Sequence, residues 1–427
     1  MSLSARESSI AESIARRGAA LLTELAEHVA IPTGTGHAEG IDEYRELLLG
    51  RLAALGGTVD LRPGDPRPAW LDMPRLLRDG SEDGAAGAAI GTSTARPAAE
   101  PPVTAVVTRR TSGAQRDPAL LLAGHLDTVH DPHGAFRRLS VAPDGRTATG
   151  PGAADMKGGI LVAIAALEAL AEHGADVPWT FLLNADEETG SFHSASALTE
   201  EARRHRVGLA LEPALPDGSL VVARMGTGQF RIAAHGRAAH VGREFARGVS
   251  AVYALARTIS TLESFVDLRR GVIVNVGPLL GGSVTNAVPD HAACWGNVRF
   301  ADDAIQHELM LRFRELATHA ETLPRIEVET AFNRPAKPMT PEVERLAVAA
   351  REVAEALGQS LPFATTGGVC DGNILQAAGL PVIDTLGVRG GNLHRSDEFV
   401  ETASLVERAQ LLALLIRRLD EAMAPQR

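Results

Sequence analysis

The sequence predicts an α/β protein whose main sheet is largely parallel, interrupted by a second unit of mixed α and β structure. Three observations lead there. From Val103 onward, strand-like and helix-like stretches alternate, the pattern of a sheet covered by helices on both faces. Several strand candidates, such as Phe181-Leu182-Leu183, are continuously apolar, as strands buried on both faces are. After Pro213 the order changes to β-α-β-β-α-β, the split ferredoxin-like arrangement. At 427 residues the chain also exceeds one ordinary core, which favours two domains.

Taken in order, the residues up to about Leu55 read as two amphipathic helices separated by Ile31-Pro32-Thr33-Gly34-Thr35-Gly36. Leu21, Leu22, Leu25 and Val29 recur at helical spacing. The stretch from Gly64 to Pro102 is rich in Gly, Ala, Pro and Ser and has no sustained period, so it reads as a surface excursion that Trp70 and Leu71 could dock. Strands are expected at 103–108, 119–123, 180–183 and 208–211, with a buried helix over 157–173. The second unit begins with a strand at 230–234 and a helix over 248–265. Strands at 272–279 and 292–300, a helix over 302–321 and a strand at 326–330 complete it. A helix over 341–357, a strand at 381–386 and a long helix over 402–422 follow. Residues 1–222 and 336–427 thus form one discontinuous domain, and residues 223–335 an inserted one.

Composition narrows the class of function. With 45% apolar and 22% charged residues the chain is globular. Its 42 basic and 53 acidic side chains give a formal charge of −11, with no basic stripe, which argues against nucleic acid as a partner. No window approaches the roughly 18 apolar residues of a membrane span. The N-terminus carries Glu7, Glu12, Arg16 and Arg17 and no apolar signal core. Two distant cysteines, Cys294 and Cys370, read as buried thiols and suit a reducing compartment. A cytoplasmic protein is the expectation.

The chemistry lies in the strand-end loops, where open α/β sheets bind ligands. His125 ends an apolar strand, and Asp127, two residues on, falls on the same side if the chain stays extended. A carboxylate so placed can accept the second ring N–H of a metal-bound imidazole. Asp155 follows Gly150-Pro151-Gly152 and precedes a helix, so it reads either as an N-cap or as a bridge between two metals. Glu187 and Glu188 follow the apolar 181–183 run, Glu212 ends Leu209-Ala210-Leu211, and His394 lies in a Gly-rich loop. A carboxylate at a buried strand end is costly unless paired or metal-bound. Two imidazoles and three carboxylates, one of them able to bridge, match what a pair of Zn²⁺ ions requires. Glu187 stands beside a proposed ligand and could move protons.

Together, His125-Leu126-Asp127-Thr128-Val129, Asp155-Met156-Lys157-Gly158-Gly159, Asp186-Glu187-Glu188-Thr189-Gly190-Ser191, Leu211-Glu212-Pro213 and His394-Arg395-Ser396-Asp397 resemble the motif set of the di-zinc aminoacylase/carboxypeptidase family. Ile31 to Gly40 and Glu187 to Phe192 resemble its glutamate carboxypeptidase branch in particular. The resemblance implies a phosphorylase/hydrolase-like mixed sheet with helices on both faces, and an inserted ferredoxin-like lid and dimerisation domain. It implies that His125 and Glu212 bind one zinc and Glu188 and His394 the other, with Asp155 bridging. Cobalt or manganese in place of zinc stays open. Glu187 would be the base, Asp127 the partner of the His125 ring, and His240 a lid histidine that reaches a second subunit's site. Asn286, Arg299, Arg334 and Gly368, with the nearby Asp371, would contact substrate. The implied substrate is an N-acyl or peptidyl amino acid with a free α-carboxylate, of the glutamate type. A deacylase of N-acetyl or N-succinyl amino acids, or a dipeptidase, is the alternative. The implied assembly is a homodimer through the inserted domain. The 64–102 excursion and the Arg389 to Asn392 segment depart from the branch.

Overall fold

The structure is a computed structural model that describes residues 2–71, 100–111 and 118–424. Most of the Gly64–Pro102 excursion lies outside the described residues. The chain divides into two compact units, one of Met1–Asp65, Pro101–Arg224 and Lys337–Arg427, the other of Pro66–Glu100 and Met225–Ala336. Among the described residues no helix is long and apolar enough to cross a membrane.

The first unit opens with three helices, Ala5–Ala15, Gly18–Ala30 and Ala38–Ala54, where two were expected. The first is fixed by a reciprocal capping box between Ser4 and Glu7. It ends before Gly18, although Ile10, Ile14, Leu21 and Leu25 continue a single apolar stripe across the break, which hides the break from a periodicity reading.

The central sheet has six strands, in the order Thr58–Arg62, Thr104–Arg109, Trp179–Asn184, Leu120–His125, Val207–Ala210 and Val382–Ile383. The last four are mutually parallel, while the two joints made by Thr104–Arg109 are antiparallel. The sheet is therefore mixed. The link from Arg109 to Leu120 is shorter than the dozen or so residues a parallel crossover needs, so the chain returns in the opposite sense.

Alternation along these strands sends side chains to two separate cores. Val107, Leu122, Phe181, Leu183 and Leu209 pack with Ile160, Ile164, Leu167 and Leu412 from the helices Gly159–Glu172 and Thr402–Met423. Val106, Leu121, Ala123, Leu182 and Ala210 pack on Leu198 and Ile374, from the helices Ala195–Arg204 and Asp371–Ala377. Both faces are thus covered, and the strand ends are left to loops.

The second unit carries strands Gly226–His235, Ile273–Gly281, His291–Phe300 and Arg325–Arg334 and helices Ala251–Glu263 and Asp303–Glu315, in β-α-β-β-α-β order. Its sheet runs second, third, first, fourth, with every neighbour antiparallel. Asp302 caps the second helix by accepting from the Ile305 N–H, so it precedes that helix, which also stops earlier than expected, at Glu315. One face packs on the helices through Phe230, Ile232, Leu255, Leu309 and Phe313. On the other face Ala233, Ala293 and Trp295 meet Trp70, whose carbonyl accepts from Trp295 Nε1 at 2.9 Å. Trp70 therefore docks within its own unit.

Candidate metal centre

Within the first unit, five loops bring His125, Asp155, Glu187, Glu188, Glu212 and His394 to one end of the central sheet. His125 ends a strand buried along its whole length. Asp155 lies in a wide turn over Ala153–Gly158, in a non-helical conformation at φ −114° and ψ 92°. It does not cap the following helix, whose N-cap position belongs to Gly158. Two glycines make this packing possible. Gly152 has φ 65° and a position where a Cβ would strike the Thr128 side chain. Gly159 lets its helix pass so close to the carbonyl of Leu211, just before Glu212, that any side chain would collide.

Asp155 divides its two oxygens between the histidines. Oδ1 lies 3.2 Å from His125 Nε2, and Oδ2 lies 3.5 Å from His394 Nε2. On the His125 side, Glu212 Oε2 is 4.0 Å from the same nitrogen; on the His394 side, Glu188 Oε2 is 3.4 Å away. Ligand atoms of His125, Asp155 and Glu188 all fall within 4.8 Å of one another. The arrangement is two half-sets, each with one imidazole and one carboxylate of its own, sharing a third carboxylate. His394 stands in a left-handed conformation at φ 64° and is the most exposed of the group.

The electrostatics ask for positive charge. Burial, then Asp155 and other neighbouring carboxylates, push Glu188 up to about 9. Glu212 is raised well above the carboxylate range by burial and then by Glu187. For His125, burial disfavours the charged ring, but hydrogen bonds to Asp127 and Asp155 outweigh it, and its pKa lies well above that of an ordinary histidine. Burial also works against the Asp155 carboxylate, yet hydrogen bonds from His125 and His394 hold it low. Buried carboxylates that oppose one another in this way, with imidazoles between them, fit a site for divalent cations.

Asp127 faces the His125 ring, as expected, and has a second task. His125 Nδ1 is 2.9 Å from the Asp127 carbonyl oxygen and 3.5 Å from its carboxylate, so the ring's stronger bond is to main chain. The carboxylate also accepts from the Glu187 N–H (3.2 Å) and the Glu188 N–H (3.0 Å), one on each oxygen. It thus fixes the turn that presents Glu187 and Glu188.

Several supports of the centre are not evident in the sequence. Lys157 is fully buried and donates to the carbonyls of His28 (3.0 Å) and Ile31 (2.5 Å), closing the end of the helix Gly18–Ala30. Burial lowers its pKa to about 7. Asp371, read as part of a substrate loop, is buried and accepts from Asn184 Nδ2 (2.7 Å) and Ser191 Oγ (2.5 Å). Glu398 is buried beside the Asp155 loop, one residue beyond the motif that ended at Asp397. The only signal for it was an acid directly before the apolar Phe399-Val400.

Of the expected substrate residues, Gly368 lies in the first unit, exposed in the turn between the strand Phe363–Thr366 and the helix at Asp371. The others belong to the second unit. His240 is exposed and starts the short helix Val241–Glu244, where its Nδ1 accepts from the Gly242 N–H at 3.1 Å. Its backbone pairs with Ala287, next to Asn286, whose carbonyl accepts from the Val241 N–H at 3.1 Å. Arg299 and Arg334 lie on either side of Thr227, both in register with it. Burial and then the charge of Arg334 lower the Arg299 pKa, so the two guanidinium groups share a neighbourhood.

The sequence profile of peptidase family M20/M25/M40 matches residues 121–418. Carboxypeptidase G2 of Pseudomonas sp. (strain RS-16) is 28% identical over 404 residues, covering 93% of this chain and 88% of that one. Succinyl-diaminopimelate desuccinylase of Methylorubrum extorquens (strain PA1) is 32% identical over 330 residues, covering 71% of this chain and 82% of that one. A crystal structure of a tripeptidase from Staphylococcus aureus aligns with a TM-score of 0.71 at 24% identity, over 94% of this chain and 98% of that one, a likeness of fold. With a family match over most of its length and a centre built for cations, this chain belongs to peptidase family M20/M25/M40 and is an enzyme that hydrolyses amide bonds.

Proposed function

We propose that this enzyme uses two zinc ions, with cobalt or manganese as alternatives, to release a C-terminal amino acid of the glutamate type from an N-acyl or peptidyl amino acid. The observation that carries the reading is the division of Asp155 Oδ1 and Oδ2 between the two half-sets. His125 and Glu212 would hold one ion, Glu188 and His394 the other, and Asp155 would bridge. Kinship with a carboxypeptidase over 93% of the chain favours a substrate with a free α-carboxylate.

When bound, the cations supply Lewis acidity to the scissile carbonyl and to the attacking water. The chain's own groups do the rest. Glu187, on the turn fixed by Asp127, accepts the proton of the attacking water and returns it to the leaving amine nitrogen. Residues 1–222 and 336–427 act as the catalytic domain and residues 223–335 as a lid and dimerisation domain. Arg299 and Arg334 hold the substrate carboxylate, a task suited to paired guanidinium groups, with Asn286 and the Gly368 turn as further contacts. The partner subunit's His240 donates to the oxyanion of the tetrahedral intermediate. An edge strand, Ile273–Gly281, with Ile273 and Leu279 exposed, and the exposed Tyr253 and Val284 support a dimer through this domain. The two buried free thiols agree with a cytoplasmic setting.

A panel of N-acyl glutamates, N-acetyl and N-succinyl amino acids and dipeptides tests the reading, with Glu187→Ala as the blank. The highest kcat/KM is expected for the acyl and peptidyl glutamates. A preference for N-succinyl or N-acetyl substrates would move the assignment to a deacylase, and turnover by Glu187→Ala would remove the base.

A further inference from the structure

The Glu398 carboxyl group is 1% exposed, and its bonds reach two other loops of the centre. Oε1 accepts from the Ala154 N–H (2.9 Å) and the Asp155 N–H (3.0 Å). Oε2 accepts from the Gly152 N–H (3.2 Å) and lies 2.6 Å from His130 Nε2, a contact that selects the donating tautomer. The main chain adds two more ties. The Gly150 N–H donates to the Glu398 carbonyl at 3.0 Å, and the Glu398 N–H donates to the Arg395 carbonyl at 3.1 Å. One buried side chain thus joins the loop after His125, the loop that carries Asp155 and the loop that carries His394. All four side-chain contacts come from N–H groups, so both oxygens act as acceptors and their capacity is largely used.

The consequence falls on Asp155. Its own N–H and that of the preceding residue both end on Glu398 Oε1, in a turn whose backbone is non-helical at Asp155 and Met156. Without that acceptor, two buried N–H groups lose their partner, a cost that drives the turn to relax. The Asp155 oxygens face His125 and His394 at 3.2 and 3.5 Å, and a relaxed turn would spoil both distances at once.

We propose that Glu398 is a positioning residue that sets the stance of Asp155 and so decides whether both cation positions form. This rests on the two-cation reading above. Its test uses the full-length, metal-free protein in four forms: wild type, Glu398→Ala, Glu398→Gln and the core control Leu48→Ala. Each is titrated with Zn²⁺ by calorimetry against a competing chelator, and melted without metal to record its stability. Amide exchange of the 150–156 segment is followed in the same metal-free samples.

Wild type is expected to take up two ions. Glu398→Ala should weaken uptake by roughly 10- to 100-fold, the usual cost of losing an outer partner of a metal site. Its 150–156 amides should exchange at least about tenfold faster. Glu398→Gln keeps an acceptor for Ala154 and Asp155 but sets an amide NH₂ against the Gly152 N–H, and should fall between. It decides the matter if the alanine variant does not fold. Leu48→Ala should lose stability and keep wild-type zinc affinity. Unchanged affinity in both Glu398 variants, or an equal loss in Leu48→Ala, overturns the inference and leaves the two-cation reading standing. A wild-type protein that binds fewer than two ions overturns that reading and this inference with it.

Discussion

Replacing Asp127 by asparagine changes one oxygen to an amide nitrogen and little else in shape. The side chain is fully buried, and each of its oxygens accepts one backbone N–H, from Glu187 at 3.2 Å and from Glu188 at 3.0 Å. Asparagine can keep one of these bonds. The other becomes a donor facing a donor. Losing a hydrogen bond to a charged acceptor costs about 1.5–3 kcal/mol, and a stranded buried N–H about 1–3 kcal/mol, with part of the two shared. A net penalty of roughly 2–4 kcal/mol on the turn that presents Glu187 and Glu188 is the expectation. If it falls on the reactive arrangement, turnover drops by roughly 30- to 1,000-fold, since each 1.36 kcal/mol is a factor of ten. The His125 ring bond to the Asp127 carbonyl, at 2.9 Å, involves main chain and survives the substitution. Steady-state kinetics with stepwise zinc titration is the assay. The ion on the Glu188 side should weaken, and the ion on the His125 side should keep its affinity. Turnover within threefold of wild type, or weakening confined to the His125 side, would exclude this role for the Asp127 carboxylate.

Two further perturbations test buried polar groups of the first unit that are not among the proposed ligands or the base. Asp384 is fully buried and takes two bonds from Arg224 (3.1 and 2.8 Å) and an ion pair from Lys337 (3.2 Å); burial works against its charged form, but these cations win and keep its pKa low. Asp384→Asn should cost about 3–5 kcal/mol in urea unfolding, because buried positive charge is left uncompensated, while the triple change Arg224→Met, Lys337→Met, Asp384→Leu should recover much of it. Burial, and then the charges of Arg51 and Lys157, push His28 down to about 3, so it stays neutral against the Tyr44 hydroxyl at 3.2 Å. The unfolded chain binds this proton near pH ~6.5, so the contribution to stability is complete above that value and is lost as pH falls toward the folded value. In metal-free protein, His28→Leu should flatten the rise of stability between about pH 4 and 6 by about 1.4 kcal/mol per pH unit; equal slopes in the two proteins would contradict this.

The sequence made the reacting groups legible because strand ends are easy to place. Apolar runs at 120–123, 181–183 and 209–211 locate the sheet, and His125, Glu187, Glu188 and Glu212 follow directly from them. The β-α-β-β-α-β unit was equally readable, since each of its strands and helices is long enough to show a period. What escaped depends on contacts between distant segments. The pairing of Phe363–Thr366 with Leu220–Arg224, and the two-residue strand Gly390–Gly391 beside Phe399–Glu401, leave no periodic trace. The Asp127 carboxylate stays near the expected imidazole, 3.5 Å from Nδ1, but the Glu187 and Glu188 N–H groups that also end on it come from a distant segment and leave no trace in the sequence. Glu398 looks in sequence like its exposed neighbour Asp397, and only the return of the 150–155 loop distinguishes them.

The proposed chemistry depends on Asp155 being shared between two cation positions. Metal analysis after dialysis against trace zinc, on wild type, His394→Ala and Asp155→Ala, tests it most directly. Two ions per chain are expected in wild type, one in His394→Ala and fewer than one in Asp155→Ala, since both half-sets lose an oxygen together. An Asp155→Ala protein that still holds two ions with wild-type affinity would contradict it.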